Sequence, residues 1–143
     1  MKALQCVELG GPEKLEINEV EAPSAIPGHV VIDVKSGSIN FPDVLMIQGL
    51  YQYQPPLPFT PGGESAGVVS EVGEGVTKFK VGDKVFAMTG VGAFAEKILA
   101  AEASCMAIPD SMDYDSAAAL SMVYGTSLYA LKQRANIQPG ETL

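Results

Sequence analysis

Glycine and proline punctuate the first hundred residues so closely that only short extended segments fit between them. Lys2–Val7 and Leu15–Val20 lie on either side of a turn at Gly10-Gly11-Pro12. Pro27-Gly28 opens the segment Val30-Val31-Ile32-Asp33-Val34-Lys35, whose alternation puts Val30, Ile32 and Val34 on one face. Ala66–Val72 alternates in the same way. Gly73-Glu74-Gly75 and Val81-Gly82-Asp83 mark tight turns around a short connection, and Val85–Met88 and Phe94–Leu99 complete the strand set. Many short strands at this spacing predict an all-β sandwich or barrel.

The pattern changes after Pro109. Asp113 is suited to cap a helix, and Asp115 to its electropositive first turn. Leu120, Val123, Ser127, Leu128 and Leu131 follow at helical spacing, with Lys132 and Arg134 near the C-terminal end. Gly125 interrupts that pattern at a cost of about 1 kcal/mol relative to alanine. Either the helix breaks there or something approaches its backbone closely. Pro139-Gly140 ends the segment, and Glu141-Thr142-Leu143 reads as the opening of another strand. Such an ending predicts a domain excised from a longer chain.

Composition removes several function classes. The 143 residues carry a net charge of −8 and no Lys/Arg cluster, so a nucleic-acid partner would be repelled. The longest nearly apolar run, Ala117–Leu131, falls short of the roughly 20 residues a bilayer needs, and Ser121, Thr126 and Ser127 interrupt it. No membrane association is expected. Cys6 and Cys105 stand far apart and suit the buried, reduced thiols of a cytoplasmic protein. The sole histidine, His29, sits beside a turn at a strand start and reads as a surface or strand-edge residue.

The stretch Gly62-Gly63-Glu64-Ser65-Ala66-Gly67-Val68-Val69 matches a Gly-His-Glu-x-x-Gly-x-Val pattern, with Gly63 in the place of the histidine. It follows Gly37-Ser38-Ile39-Asn40-Phe41-Pro42-Asp43, Gly49-Leu50-Tyr51 and Pro56-Leu57-Pro58-Phe59-Thr60-Pro61. It precedes Val72-Gly73-Glu74-Gly75-Val76, Lys80-Val81-Gly82-Asp83-Lys84-Val85, Gly92-Ala93-Phe94-Ala95-Glu96 and Tyr124-Gly125-Thr126-Ser127. In this order the set resembles the medium-chain dehydrogenase/reductase superfamily, and within it the zinc-independent NADPH:quinone oxidoreductases of the zeta-crystallin type. The resemblance implies a mainly β fold with a few helices. Residues 1–125 would form a GroES-like β-barrel catalytic and substrate domain. Residues 126–143 would hold the connecting helix and the first residues of a Rossmann cofactor domain, absent here, through which the full-length protein would form a homodimer.

Zinc-using relatives place a cysteine at the position of Asn40, a histidine at that of Gly63, and another cysteine near Met122. Glycine has no donor, an amide oxygen is a weak ligand, and a thioether prefers softer metals. No metal is therefore expected. Read alone, Asn40 is a helix N-cap; the resemblance assigns it to the catalytic site and the cofactor, where its amide can donate and accept. Asp43 reads as stabilising the same first turn. Tyr51 is the candidate to donate to a substrate oxygen, and Tyr51 and Tyr53 border the substrate cleft. Tyr124, Gly125 and Thr126 form a cofactor-facing turn. Glu64 is expected to be an internal hydrogen-bond or ion-pair residue. The implied reaction is hydride transfer from NADPH to a quinone or conjugated enone, with enoyl-thioester reduction or a non-catalytic role like that of vesicle amine transport proteins as rivals.

Overall fold

The computed structural model describes residues 1–142. The order of elements is β1 (Lys2–Cys6), β2 (Leu15–Glu19), β3 (His29–Ser38), α1 (Phe41–Ile47), β4 (Glu64–Val72), β5 (Lys84–Met88), β6 (Lys97–Ala101), β7 (Cys105–Ala107), α2 (Tyr114–Ala118) and α3 (Ser121–Leu128). A wide helical turn, Tyr129–Arg134, extends α3. The fold is mainly β.

β1 and β2 pair as an antiparallel hairpin, and the other five strands form one antiparallel sheet in the order β6-β3-β4-β5-β7. The two edge strands share a core: Ile98 and Ala100 of β6 pack in the same cluster as Cys105 of β7, together with Val30, Ile32, Val69, Val85 and Ala87. The sheet therefore curls on itself, which decides for a barrel over a sandwich. Burying each of these Val and Ile side chains stabilises by roughly 1.5–3 kcal/mol. Bridges from Ala3 to Ala95 and from Cys6 to Phe59 tie the hairpin to the loops beside the barrel.

Most predicted strands form, with three shifts. β3 runs on to Ser38 because β4 pairs it as far as Ser38↔Glu64, past a bulge at Lys35. Phe94, Ala95 and Glu96 fall outside β6: the Phe94 N–H donates to the Pro61 carbonyl, the Phe94 carbonyl accepts from the Leu4 N–H, and the Glu96 N–H donates to the Lys2 carbonyl. Those bonds direct the backbone toward the hairpin. β7 was not foreseen, since three residues are too short for any period to register.

Asp113 caps α2 as expected, accepting from the Ser116 N–H at 2.7 Å. Its buried Ala117 and Ala118 pack on Ala66, so α2 covers the outer face of β4. The helical segment then breaks between Ala118 and Ser121, and α3 passes through Gly125 unbroken. The face predicted to be apolar is not buried: Leu120, Val123 and Leu128 are exposed. Glu141 and Thr142 form no strand; the Glu141 N–H instead donates to the Gln138 carbonyl, closing a turn over Pro139-Gly140. Leu143, the last residue of that expected strand, lies outside the described residues.

Cys6 and Cys105 are buried and unpaired. Burial, with a smaller push from Glu102, raises the Cys105 thiol to about 11, which keeps it protonated at neutral pH. His29 starts β3 between two neighbouring strands, its Nδ1 2.9 Å from the Pro27 carbonyl. It is a strand-start residue rather than one on a sheet edge.

Candidate functional site

The site is built around Glu64, the first residue of β4, which is 0% exposed. The pairing of β4 with its neighbours sets Glu64 opposite Ser38 on one side and Met88 on the other. Directly opposed residues project to the same face. Three donors converge on its carboxylate. Ser38 Oγ donates to Oε1 at 2.6 Å and Asn40 Nδ2 donates to Oε1 at 3.0 Å. The backbone N–H of Met122, in the first turn of α3, donates to Oε2 at 2.9 Å. No cation pairs with Glu64 among the described residues. Such a group is held in the interior by hydrogen bonds to both of its oxygens.

Asn40 occupies the N-cap position of α1 with extended backbone. Its own N–H donates to Asp43 Oδ2 at 2.8 Å, the returning bond of a capping box. Asp43 also accepts from the Gly62 N–H at 3.1 Å, joining the head of α1 to the turn that enters β4. That turn needs glycine: Gly62 has φ +100°, and a Cβ there would lie 2.8 Å from Ala93 and Phe94. Gly63 leaves room for the Met122 methyl, which an added Cβ would meet at 3.2 Å. Asn40, Gly63 and Met122 are thus neighbours around one carboxylate.

Burial holds the Asp43 carboxyl above its ordinary value, with the nearby Glu64 pushing the same way and the Asn40 and Gly62 N–H donors opposing. A carboxyl raised in the fold binds more protons in the native state than in the unfolded one. Between the ordinary value of 3.8 and the raised one, stability therefore falls as pH rises. Asp43→Asn should abolish that slope in urea midpoints measured across acid pH. At pH 7 it should cost about 1–2 kcal/mol, because an amide NH₂ must then face one of the two N–H donors.

Beside this network lies a cleft of about 380 Å³ lined by Met88, Ser121, Met122, Gly125, Thr126 and Tyr129. Of the predicted cofactor turn, Gly125 and Thr126 line it, whereas Tyr124 is 68% exposed and does not. A Cβ on Gly125 would meet nothing within 4 Å, so that glycine leaves the helix surface open rather than admitting a neighbour from this chain. Tyr51 packs on the cluster of Cys6, Met46, Ile47 and Phe59, and Tyr53 is exposed. No hydrogen bond joins either tyrosine to the Glu64 network among the described residues. The structure brings Asn40 next to the Gly125–Thr126 cleft by way of Glu64 and Met122. The orienting residue Ser38 was missed, although its place opposite Glu64 would have followed from extending β3 by three residues.

The model of the alcohol dehydrogenase GroES-like domain matches residues 26–110. The chain belongs to that family. Among relatives of this GroES-like domain, Quinone oxidoreductase-like protein 2 of Mus musculus is 41% identical over 142 residues, covering 99% of this chain and 40% of the relative. Synaptic vesicle membrane protein VAT-1 homolog of Rattus norvegicus is 38% identical over 145 residues, covering 98% of this chain and 36% of the relative. The crystal structure of Escherichia coli quinone oxidoreductase complexed with NADPH superposes with a TM-score of 0.89 at 31% identity, covering 99% of this chain and 43% of that one. The chain thus spans less than half the length of these relatives. It is a member of the medium-chain dehydrogenase/reductase superfamily with a GroES-like fold. No helix among the described residues is long and apolar enough to cross a membrane.

Proposed function

We propose that this chain is the substrate-side domain of a cytoplasmic, homodimeric oxidoreductase that transfers hydride from NADPH to a quinone or conjugated carbonyl without zinc. The domain would end near residue 125, inside α3, with 126–143 leading toward the cofactor domain. The carrying observation is the donor set at the former metal positions. The Asn40 NH₂ is turned onto Glu64, Gly63 offers nothing, and Met122 contributes its backbone N–H to the same carboxylate. Only the Asn40 oxygen and a thioether remain, too few for the three N, O or S donors of a catalytic zinc site. Zinc does not fit.

A nicotinamide fits better. The cleft beside Thr126 is walled by Met88 and Met122, and the open backbone at Gly125 lets a flat ring approach. Support for NADPH comes from the likeness to an NADPH-bound quinone oxidoreductase. When bound, that cofactor supplies the hydride. The chain's residues align the ring, exclude water with the two methionines, and present Thr126, with Tyr51 as the candidate donor to the substrate oxygen. A quinone or enone spreads the arriving charge through its own conjugation, so it needs less of the Lewis-acid help that zinc gives an isolated carbonyl.

The test is NADPH oxidation by the full-length protein, with quinones, enones, enoyl thioesters and saturated aldehydes as acceptors. Turnover is expected with the conjugated acceptors and not with saturated aldehydes. Reduction of saturated aldehydes alone would contradict the reading. The similar identity to the VAT-1 homolog supports a second one, a non-catalytic binding protein; absence of turnover with every acceptor would favour it.

A further inference from the structure

α2 is five residues long and meets the outer face of β4 through Ala117 and Ala118, which pack on Ala66. Strand pairing continues the Ala66 row across the sheet to Phe86 of β5 and Met106 of β7, and the Glu64 row to Met88. The two alanines are too short to fill the space over Phe86 and Met106, and the helical segment breaks between Ala118 and Ser121. What remains is an apolar pit of about 140 Å³, with Phe86, Met106, Met112, Ala117, Leu120 and Ser121 in its walls. Phe86 and Ala117 are buried, whereas Met106 and Leu120 are exposed at its mouth. No charged side chain lines it among the described residues, and Ser121 is its one polar residue. The cleft assigned above to the nicotinamide shares Ser121 as a wall and has Met88 as another. Phe86 and Met88 stand two residues apart on one face of β5, so pit and cleft lie about 7 Å from each other along the strand. An apolar cavity of about 150 Å³ takes up benzene, which sizes the pit for one six-membered ring. Four of the chain's six methionines line the two hollows, and such flexible, polarisable side chains select for size and apolarity more than for outline.

We infer that the pit between β5, β7 and α2 is a substrate subsite, holding an uncharged, ring-sized apolar substituent of the acceptor while its conjugated ring is reduced beside the cleft. The inference rests on the hydride-transfer reading above and narrows it to acceptors that carry such a group. The pit is one pleat away from the cleft, so the substituent is attached directly to the conjugated ring and not through a long spacer. Its removal from water supplies the selectivity. A carboxylate or phosphate on the same substituent would enter without a cationic partner and is disfavoured.

The test uses the full-length protein and three acceptors: 2-methyl-, 2-phenyl- and 2-(4-carboxyphenyl)-1,4-benzoquinone. The readout is kcat/KM for NADPH oxidation, with the uncatalysed reaction subtracted. The parent should favour the phenyl over the methyl compound by about tenfold, the lower end of what filling an apolar pocket contributes. The carboxyphenyl compound, of nearly the same size, should lose that preference; an equal preference for it overturns the inference. Leu120→Trp puts an indole in the mouth of the pit and should bring the phenyl-to-methyl ratio down about tenfold. Comparing that ratio between variant and parent cancels the different intrinsic reactivities of the two quinones. A ratio unchanged by Leu120→Trp overturns the inference. NADPH dissociation constants, read from reduced-nicotinamide fluorescence, report whether the variant is folded. Should Leu120→Trp fail to fold, Met106→Ala takes away one wall and should lower the ratio about threefold; an unchanged ratio there overturns the inference as well. A parent protein that binds no NADPH, or that reduces none of the three quinones, overturns the hydride-transfer reading and this inference together. Turnover with no preference for the phenyl compound overturns the inference alone.

Discussion

Gly67→Ala should destabilise the domain by about 4 kcal/mol, a large share of the roughly 5–15 kcal/mol that holds an ordinary domain folded. Gly67 lies in the middle of β4, opposite Val34 of β3 and Val85 of β5. A Cβ there would sit 2.1 Å from the Asp33 carbonyl oxygen and 2.8 Å from the Ile32 Cγ2. The nearer atom belongs to the backbone of β3, so no side-chain rotation relieves the clash. The strands would have to separate where β3 bulges at Lys35, and the pairs from Ser38↔Glu64 to Val34↔Gly67 would loosen with them. Gly125→Ala is the contrasting control. With nothing within 4 Å of the new methyl and helical backbone around it, that change should stabilise by about 0.5–1 kcal/mol. Urea midpoints of the two variants against the parent check both values. Equal midpoints would mean that β3 and β4 do not approach as described.

Glu64→Ala should cost about 3 kcal/mol, more than any other single polar deletion near the site. The change removes the common acceptor of the Ser38 hydroxyl, the Asn40 amide and the Met122 N–H. Ser38 and Asn40 are half-buried and partly recover by taking water, which keeps the figure below the sum of three orphaned donors. The Met122 N–H heads α3, so its loss should also free that helix from the barrel. Hydrogen exchange at Ser121–Thr126 should accelerate in the variant while the β3–β4 amides stay protected. Ser38→Ala, which leaves the other two donors in place, should cost only about 1 kcal/mol. A Glu64→Ala protein as stable as its parent would show that the carboxylate organises nothing.

The strands were legible because period-2 alternation survives where a face is buried, as at Val30, Ile32 and Val34, though alternation alone left sandwich and barrel open. The ends of strands were less legible, since they depend on what lies across the sheet. Ser38 is a strand residue only because Glu64 pairs with it, and Phe94 is not one because Pro61 and Leu4 claim its backbone. Asn40 was legible as a helix cap, and it occupies the cap position while facing Glu64. Its hydrogen-bond polarity was not, because an amide's direction is set by partners distant in sequence. The helix α3 was legible and forms over Ser121–Leu128, but what its apolar residues pack against was not. Helical spacing predicts a buried stripe, but the stripe finds no core within this chain, and Leu120, Val123 and Leu128 stay exposed.

The central claim is that the pocket of Asn40, Gly63 and Met122 works through hydrogen bonds around Glu64 and not through a metal ion. It is tested most directly by one rate measured twice: NADPH-dependent quinone reduction by the full-length protein before and after exhaustive chelation and dialysis. The account predicts the same rate, with no gain on adding zinc. A rate that falls more than tenfold on chelation and returns with stoichiometric zinc would contradict it.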